Sequence, residues 1–216
     1  MPKILASIRS ADLAALAQEL ERLENAGVDG LHVDVMDGRF VADSCFEPAF
    51  VADLRPKTRL MVDVHLMAED PAALVPAYAE AGAQRISVHI EATREAGTLL
   101  REIRAHDVEP GLVLLPSTPI TDVFDYLGEV AVVNPLGVDP TQGLGFQDST
   151  YGRIAALVEE RERRGLDFVV QADGGVWAKT RNGLVDAGAD ELVGGYPIFS
   201  HDDYAAAVHE LRAGAA

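Results

Sequence analysis

The residues best suited to chemistry are histidine and aspartate pairs set within short apolar runs. His32 and Asp34 lie two positions apart in one run, and Asp63 and His65 lie two positions apart in the next. Side chains alternate between the two faces of a β-strand, so each polar pair shares one face while valines and leucines occupy the other. We therefore predict that the apolar faces pack against helices and that the polar faces point inward.

Two further runs carry similar groups. Asp173 follows a later apolar run, and Ser87, His89 and Glu91 alternate along the fourth run. A single inward histidine is commonly a hydrogen-bonded structural residue, whereas an unpaired buried carboxylate costs several kcal/mol. Several inward acids at neighbouring strand ends therefore favour a functional interpretation.

Two imidazoles and two carboxylates at three strand ends predict one site for a divalent metal ion. Imidazoles and carboxylates supply nitrogen and oxygen donors, which suit Zn²⁺, Mn²⁺, Fe²⁺ or Co²⁺ and leave the identity of the ion open. Such an ion polarises a carbonyl and stabilises an enediolate. One carboxylate can then take a proton and the other return it from the opposite face, which predicts epimerisation.

The sequence lacks the residues that several other reaction classes and site types need. The three lysines, Lys3, Lys57 and Lys179, do not lie at the carboxyl end of any predicted strand, which argues against a Schiff-base aldolase. The Asp-x-Lys-x-x-Asp pattern of barrel decarboxylases is missing. Cys45 is the only cysteine, which excludes a disulfide scaffold and a cysteine-based zinc finger.

The elements that must position these residues repeat along the whole chain. Eight short apolar runs alternate with amphipathic segments, one run per about 27 residues. The runs are Ile4–Ile8, Leu31–Val35, Leu60–Leu66, Ile86–Ile90, Leu112–Leu115, Val130–Val133, Phe168–Val170 and Glu191–Val193. Helical spacing relates Leu13, Leu16, Leu20 and Leu23, and also Ala96, Leu99, Leu100 and Ile103.

This alternation predicts a single (β/α)₈ barrel over residues 1–216, with the functional residues at the carboxyl ends of the strands. Ala-Gly turns at Gly27, Gly82 and Gly188 mark three helix-to-strand connections. A doubly wound sheet is the alternative, but it would usually carry a glycine-rich fingerprint after the first strand, where Ser7-Ile8-Arg9-Ser10 stands.

Charge and hydropathy limit the partners. With 35 acidic and 18 basic residues the chain has a net charge of −17, which disfavours nucleic acid and anionic membrane surfaces. No apolar run approaches the length of a membrane span, and the first twenty residues lack the apolar stretch of a signal peptide. We therefore expect a cytoplasmic protein.

Taken together, these motifs resemble the ribulose-phosphate 3-epimerase family from about Ile4 to Phe199. The resemblance is carried by Ser7 in Ala6-Ser7-Ile8-Arg9-Ser10, His32-Val33-Asp34-Val35-Met36-Asp37-Gly38, Asp63-Val64-His65-Leu66-Met67, His89-Ile90-Glu91-Ala92, Asn134-Pro135, Asp173-Gly174-Gly175 and Ile198-Phe199. It implies a (β/α)₈ barrel that interconverts D-ribulose 5-phosphate and D-xylulose 5-phosphate, commonly as a dimer or hexamer.

The resemblance also implies roles for individual residues. The divalent metal ion would be bound by His32, Asp34, His65 and Asp173, and Asp34 and Asp173 would also be the acid/base pair. Met36 and Met67 would shield the enediolate from water. Substrate would contact Ser7, His65, His89, Gly174, Gly175, Gly195 and Tyr196.

Four features depart from the family pattern, all on the substrate side. They are Arg9, a candidate anion clamp, Tyr196 in place of a small hydroxyl residue, the segment 42–47 and the longer, acid-containing loop 136–147. The substrate therefore stays open between a pentulose phosphate and another ketose, such as allulose 6-phosphate or a shorter sugar. A metal-dependent retro-aldol lyase and a catalytically silent ligand-binding barrel are the alternatives from other classes.

Overall fold

Eight parallel strands close into a barrel in the computed structural model of the chain, which describes residues 1–214. The strands are β1 Lys3–Ser7, β2 Gly30–Asp37, β3 Met61–Met67, β4 Arg85–His89, β5 Glu109–Leu114, β6 Val132–Pro135, β7 Val169–Ala172 and β8 Glu191–Gly194. Each strand pairs with the next along the chain, and β1 pairs with both β2 and β8. This closure confirms the predicted barrel and excludes the open doubly wound sheet.

Side chains alternate along each strand between the layer that packs against the helices and the inside of the barrel. In β2 and β3 the residues Leu31, Val33, Val62 and Val64 are fully buried in one apolar layer between the barrel and its helices. Their polar neighbours point into the barrel itself. The hydrophobic effect therefore settles which face of each strand meets the helices, and the polar residues occupy the face that remains.

The helices lie outside the barrel. They are α1 Leu16–Ala26, α2 Pro48–Leu54, α3 Pro71–Glu80, α4 Ala96–Ala105, α5 Ser149–Arg164, α6 Ala178–Asp186, α7 Tyr196–Phe199 and α8 Tyr204–Ala213. Gly27 ends α1 in the left-handed conformation with a φ of 75°, which a residue without Cβ adopts at little cost. None of the helices within residues 1–214 has both the length and the apolar character to cross a membrane.

Two details differ from the expected pattern. The spacing predicts Leu13 on the buried stripe of α1, but this residue lies in a preceding 3₁₀ turn and is 46% exposed. Between β5 and β6 the chain forms a 3₁₀ helix, Ile120–Tyr126, instead of an α-helix. The physical reason is composition, because this segment consists of β-branched, aromatic and aspartate residues that are weak helix formers.

Candidate active site

Strand register brings the two histidine–aspartate motifs together. The parallel pairing of β2 with β3 places His32 beside Asp63 and Asp34 beside His65. One motif reads His-x-Asp and the other Asp-x-His, so each histidine has an aspartate as its cross-strand neighbour. Asp173 joins them from the residue that follows β7.

Four side-chain atoms of this group form a compact set of metal-ligand candidates, all within 4.8 Å of one another. The Asp34 Oδ1 atom lies 3.3 Å from both His32 Nε2 and His65 Nδ1. The Asp173 Oδ2 atom lies 3.6 Å from His32 Nε2 and 3.7 Å from His65 Nδ1. Ligands at about 2.0–2.1 Å around a four-coordinate ion are themselves about 3.3–3.4 Å apart, so these separations fit one small divalent cation.

The two histidine nitrogens give an independent reason to expect an ion. His32 Nε2 and His65 Nδ1 are buried and have no hydrogen-bond partner within residues 1–214. Buried polar atoms are rarely left without a partner, because desolvation without a replacement bond costs about 1–3 kcal/mol. Both atoms point to the space between the Asp34 and Asp173 carboxylates, where a cation would satisfy them.

Charges in the cluster reinforce each other in the metal-free protein. Burial alone lowers the pKa of His32, but the Asp34 and Asp173 carboxylates outweigh burial and raise that pKa well above its ordinary value. Burial alone raises the pKa of the Asp34 carboxyl, whereas His32 and His65 hold it well below its usual range. Asp34 is therefore ionised at neutral pH.

Each of the two carboxylates also has its second oxygen held. The Ser7 hydroxyl donates to Asp34 Oδ2 at 2.8 Å, and the Gly174 amide donates to Asp173 Oδ1 at 2.7 Å. Ser7 lies at the end of β1 and pairs with His32 in the β1–β2 register. These bonds orient both carboxylates toward the histidines, so Ser7 contacts an acid of the cluster as well as the mouth of the barrel.

Below the cluster lies a polar layer of which the sequence patterns singled out Asp63 alone. Asp63 Oδ2 lies 2.9 Å from His32 Nδ1 and accepts a hydrogen bond from Gln171 Nε2. Arg85 donates to Glu191 at 2.7 Å, and Gln171 also reaches Glu191. The available signal was spacing, because Asp63 and Gln171 each lie two residues before a proposed ligand and therefore share its inward face.

His89 is placed differently from its neighbours. It is fully buried behind His65, with 2.9 Å between the two Nε2 atoms, and its Nδ1 lies 3.1 Å from Glu91 Oε2. Burial lowers the pKa of His89 to about 4, so the ring is neutral. In this structure its ring contacts His65, Glu91 and Phe40, and direct contact with substrate stays a prediction.

Two cavities of about 170 Å³ each open at the carboxyl ends of the strands and meet at Asp173 and Gly174. One, the methionine lobe, is lined by Arg9, Asp34, Met36, His65, Met67, Leu136, Val138, Pro140, Asp173 and Gly174. The other, the glycine lobe, is lined by Ser7, Asp173, Gly174, Gly175, Val176, Trp177, Val193, Gly195, Tyr196 and Pro197. The structure thus gathers the predicted site residues around one divided mouth, except His32 and His89, which are fully buried and line neither lobe.

The rim of the mouth contains the features that depart from the family pattern. Arg9 and Asp43 form an exposed ion pair at 2.6 Å. Tyr196 is 63% exposed, and its ring centre lies 5.6 Å from that of Trp177. Cys45 belongs to a two-residue strand that pairs with the end of β2, and its thiol donates to the Asp34 carbonyl oxygen at 3.0 Å.

The acid of the long loop does not face the mouth. Asp139 is 2% exposed, and its carboxylate accepts hydrogen bonds from Thr141 and Gln142 of the same loop. Its backbone exchanges two hydrogen bonds with Leu144. The loop is therefore closed on itself around Asp139, and both carboxylate oxygens are hydrogen-bonded to donors of the same loop.

Solved structures similar to this chain show the same fold. The KGPDC protein of Streptococcus mutans superposes with a TM-score of 0.71 at 14% identity and covers 98% of this chain and 96% of that chain. A 3-hexulose-6-phosphate synthase superposes with a TM-score of 0.69 at 21% identity, covering 99% of this chain and all of that one. At these identities the likeness concerns the barrel alone.

Sequence comparison adds the family. The sequence profile of the ribulose-phosphate 3 epimerase family matches residues 3–199. The chain is 36% identical over 216 residues to the ribulose-phosphate 3-epimerase of Bacillus subtilis, covering 98% of this chain and 99% of that protein. It is 37% identical over 210 residues to the chloroplastic ribulose-5-phosphate-3-epimerase of Arabidopsis thaliana, covering 96% of this chain and 75% of that protein. The chain therefore belongs to the ribulose-phosphate 3-epimerase family and is an isomerase.

Proposed function

We propose that this chain is a metal-dependent epimerase that inverts C3 of a ketose phosphate, interconverting D-ribulose 5-phosphate and D-xylulose 5-phosphate. The observation that carries the proposal is the geometry of Asp34 and Asp173. Each carboxylate directs one oxygen to a point between two buried imidazoles and has its other oxygen held in place. The names of the relatives supply the substrate, since those proteins are described as ribulose-phosphate 3-epimerases.

The proposed ligands of the divalent ion are His32, Asp34, His65 and Asp173. When bound, such an ion acts as a Lewis acid that polarises the substrate carbonyl and so acidifies the adjacent C–H bond. Nitrogen and oxygen donors of this kind suit Zn²⁺, Mn²⁺, Fe²⁺ or Co²⁺.

Inversion at C3 needs two groups that exchange protons with opposite faces of the carbon. Asp34 and Asp173 are the proposed pair, because they come from strands three steps apart around the barrel. One carboxylate accepts the C3 proton and the other, in its acid form, delivers a proton from the far side; in the reverse reaction the roles exchange. Asp34 is ionised at neutral pH, as the acceptor of the C3 proton must be.

In our proposal the two lobes of the mouth bind different parts of the substrate. Met36 and Met67 are 7% and 3% exposed and add an apolar surface to the methionine lobe beside the acids, where they would exclude water from the reacting carbons. Gly175 and Gly195 would offer backbone amides to a phosphate bound between Ser7 and Tyr196 in the glycine lobe. Gly174 lines the same lobe, but its amide donates to Asp173. Arg9, already paired with Asp43, is a candidate determinant of sugar preference.

The oligomeric state that we propose comes from the family resemblance, and the location comes from the sequence. We propose a homo-oligomer that acts in the cytoplasm on a free phosphorylated ketose. Sedimentation equilibrium of the purified protein, with and without a divalent ion, gives the oligomeric state directly.

The decisive experiment follows hydrogen exchange at C3. The chelator-treated protein is reloaded separately with Zn²⁺, Mn²⁺, Fe²⁺ or Co²⁺ and incubated in D₂O with ribulose 5-phosphate, allulose 6-phosphate or a four-carbon ketose phosphate. We expect C3 deuteration with inversion on ribulose 5-phosphate and activity that depends on the added ion. Inversion of another ketose alone would correct the substrate, and cleavage into fragments would identify a lyase. No turnover on any ketose with any ion would overturn the proposal.

A further inference from the structure

A chain of three side chains runs from the predicted metal ligand His65 to the rim of the barrel. His65 Nε2 lies 2.9 Å from His89 Nε2, and His89 Nδ1 lies 3.1 Å from Glu91 Oε2. The two imidazole planes are inclined by 25°, with 5.0 Å between ring centres. His65 and His89 are buried, while the Glu91 side chain, the outermost of the three, is 21% exposed.

Glu91 is held as a carboxylate by its other contacts. Its Oε1 atom accepts a hydrogen bond from the Leu115 amide at 2.8 Å and another from the Thr118 hydroxyl. Both oxygens of an ionised carboxylate are acceptors only, so the group facing Oε2 must be a donor. The His89 Nδ1 atom therefore carries a proton.

This assignment propagates along the chain of contacts. A neutral imidazole with its proton on Nδ1 has an acceptor at Nε2, so His89 accepts a hydrogen bond from His65. The proton between the two rings consequently belongs to His65 Nε2. A neutral His65 with its proton there has a free lone pair on Nδ1, the atom that lies 3.3 Å from Asp34 Oδ1.

The other histidine of the cluster has a simpler arrangement with the same result. Asp63 Oδ2 lies 2.9 Å from His32 Nδ1 and leaves His32 Nε2 facing the centre of the cluster. Each predicted histidine ligand is thus backed by a carboxylate on its far side, directly for His32 and through a second imidazole for His65. Carboxylate-backed histidines orient the ring and raise its basicity toward a metal.

We propose that Glu91 and His89 are positioning residues that hold His65 in its Nε2–H form and so present Nδ1 as a metal ligand. The inference rests on the proposed metal-dependent function, and it assigns to His89 a role at a distance from the substrate. The Glu91 carboxylate accepts the hydrogen bond from His89 Nδ1, which leaves His89 Nε2 as the acceptor of the hydrogen bond from His65.

Glu91→Gln is the most informative substitution because it keeps the shape of the side chain. A glutamine amide cannot accept hydrogen bonds at both ends, so it fails to serve both the Leu115 amide and His89. Where its NH₂ group faces His89, that ring must accept at Nδ1 and donate from Nε2. His65 then carries its proton on Nδ1 and cannot act as a ligand through that atom.

The test measures tautomers and metal affinity and does not require turnover. Nitrogen-15 NMR of the imidazoles is recorded for the metal-free and Zn²⁺-loaded protein, and Zn²⁺ affinity is measured by competition with a chromophoric chelator. We expect the wild-type His89 to carry its proton on Nδ1 and Zn²⁺-loaded His65 to carry its proton on Nε2. Glu91→Gln should give mixed forms and bind Zn²⁺ about 10- to 100-fold more weakly.

Glu95→Gln is the matched control, since it removes one negative charge from an exposed residue in the same part of the chain. It should leave both measurements unchanged. Wild-type affinity and tautomers in Glu91→Gln would overturn the inference and leave the proposed function standing, as would a His89 protonated on Nε2 in the wild type. A wild-type protein that binds no divalent ion would overturn the proposed function and the ligand role of His65 with it.

Discussion

At the scale of single residues, the site is defined by what each polar atom lacks. Two buried histidine nitrogens have no hydrogen-bond partner within the described part of the chain, while both acids beside them have one oxygen already held. A structural polar cluster would be expected to satisfy its own atoms. The arrangement around His32 and His65 instead leaves a position that only a further group can complete.

The two acids allow a direct test of the proposed proton transfer. We expect Asp34→Asn and Asp173→Asn each to lower kcat about 10³-fold or more, because an amide cannot exchange a proton with C3. Each variant should still unfold cooperatively in the metal-free state, at a lower temperature than wild type because buried His32 loses one of its two carboxylate partners. Metal content is measured on the same samples, so that loss of the ion is distinguished from loss of the acid.

Glu69→Gln provides the comparison, since Glu69 is an exposed acid just beyond β3. Its turnover should be unchanged. Near-normal turnover in either aspartate variant, with the ion still bound, would show that the assignment of two bases is wrong.

At the scale of elements, the connections after the strands form the mouth of the barrel and contain its unusual features. The loop 136–147 is organised by Asp139 and packs on the turn after β7. A Cβ atom at Gly137 would lie 2.3 Å from the Gly174 carbonyl oxygen, and the Gly137 amide donates to the Asp173 carbonyl. The position of the glycine lobe therefore depends on this loop.

Loosening the loop should weaken substrate binding more than it slows the reaction. Asp139→Ala removes the acceptor of the Thr141 and Gln142 hydrogen bonds, and Val138 and Pro140 then lose their fixed place at the mouth. We expect KM to rise about tenfold with a smaller change in kcat, a split typical of lost ground-state binding. Hydrogen exchange at the Leu144 amide should become faster.

Asp148→Asn, at an exposed position just before α5, is the control for loss of an acid nearby. It should leave KM and amide exchange unchanged. A fall in kcat of about tenfold in Asp139→Ala, with KM constant, would instead connect the loop to the chemical step.

At the scale of the whole molecule, closure joins the two ends of the chain. β1 pairs with β8, and α8 packs against α1. Across that helix contact the Tyr204 hydroxyl donates to the Glu19 carboxylate, and Arg22 lies over the Tyr204 ring at 3.6 Å from its centre. Most of the net charge of −17 belongs to exposed acids, whose electric field is screened by salt over about 8 Å. The buried Glu19 carboxylate is instead stabilised by the hydrogen bond from Tyr204.

Tyr204→Phe tests this closure through its dependence on pH. Burial and the Glu19 carboxylate raise the pKa of Tyr204 to about 12, whereas an unfolded tyrosine ionises near pH 10. The stabilisation by the Tyr204 hydroxyl is therefore complete below pH 10 and is lost as the pH rises toward 12, because only the unfolded chain releases the proton.

We expect Tyr204→Phe to be less stable than wild type by about 1–2 kcal/mol at pH 8. That difference should shrink by about 1 kcal/mol by pH 11. Urea unfolding at both pH values measures it. Tyr126→Phe is the control, since the Tyr126 hydroxyl makes no hydrogen bond in the described range 1–214. A difference independent of pH would mean that the Tyr204 hydroxyl is not buried against Glu19.

Much of the fold and of the inward-facing polar groups could be predicted from sequence because both depend on periodicity. The alternation around His32 and Asp34 indicated an inward polar face, and the repeat of strand and helix indicated the barrel. The 3₁₀ helix Ile120–Tyr126 and the exposure of Leu13 could not be predicted in this way. The first follows from a run of weak helix formers, which a count of apolar periods does not register. The second follows from the 3₁₀ turn that precedes α1.

The sequence by itself determined which side chains face the barrel interior, because that follows from their position along a strand and from the burial of apolar residues on the other face. Only the tertiary structure decided which of those side chains meet. The register of β2 with β3 placed each histidine beside an aspartate, and closure brought Asp173 to them. It also placed His89 behind His65 with Glu91 beyond it. Such contacts join residues far apart in the chain, and no local pattern specifies the distance or the direction of a hydrogen bond between them.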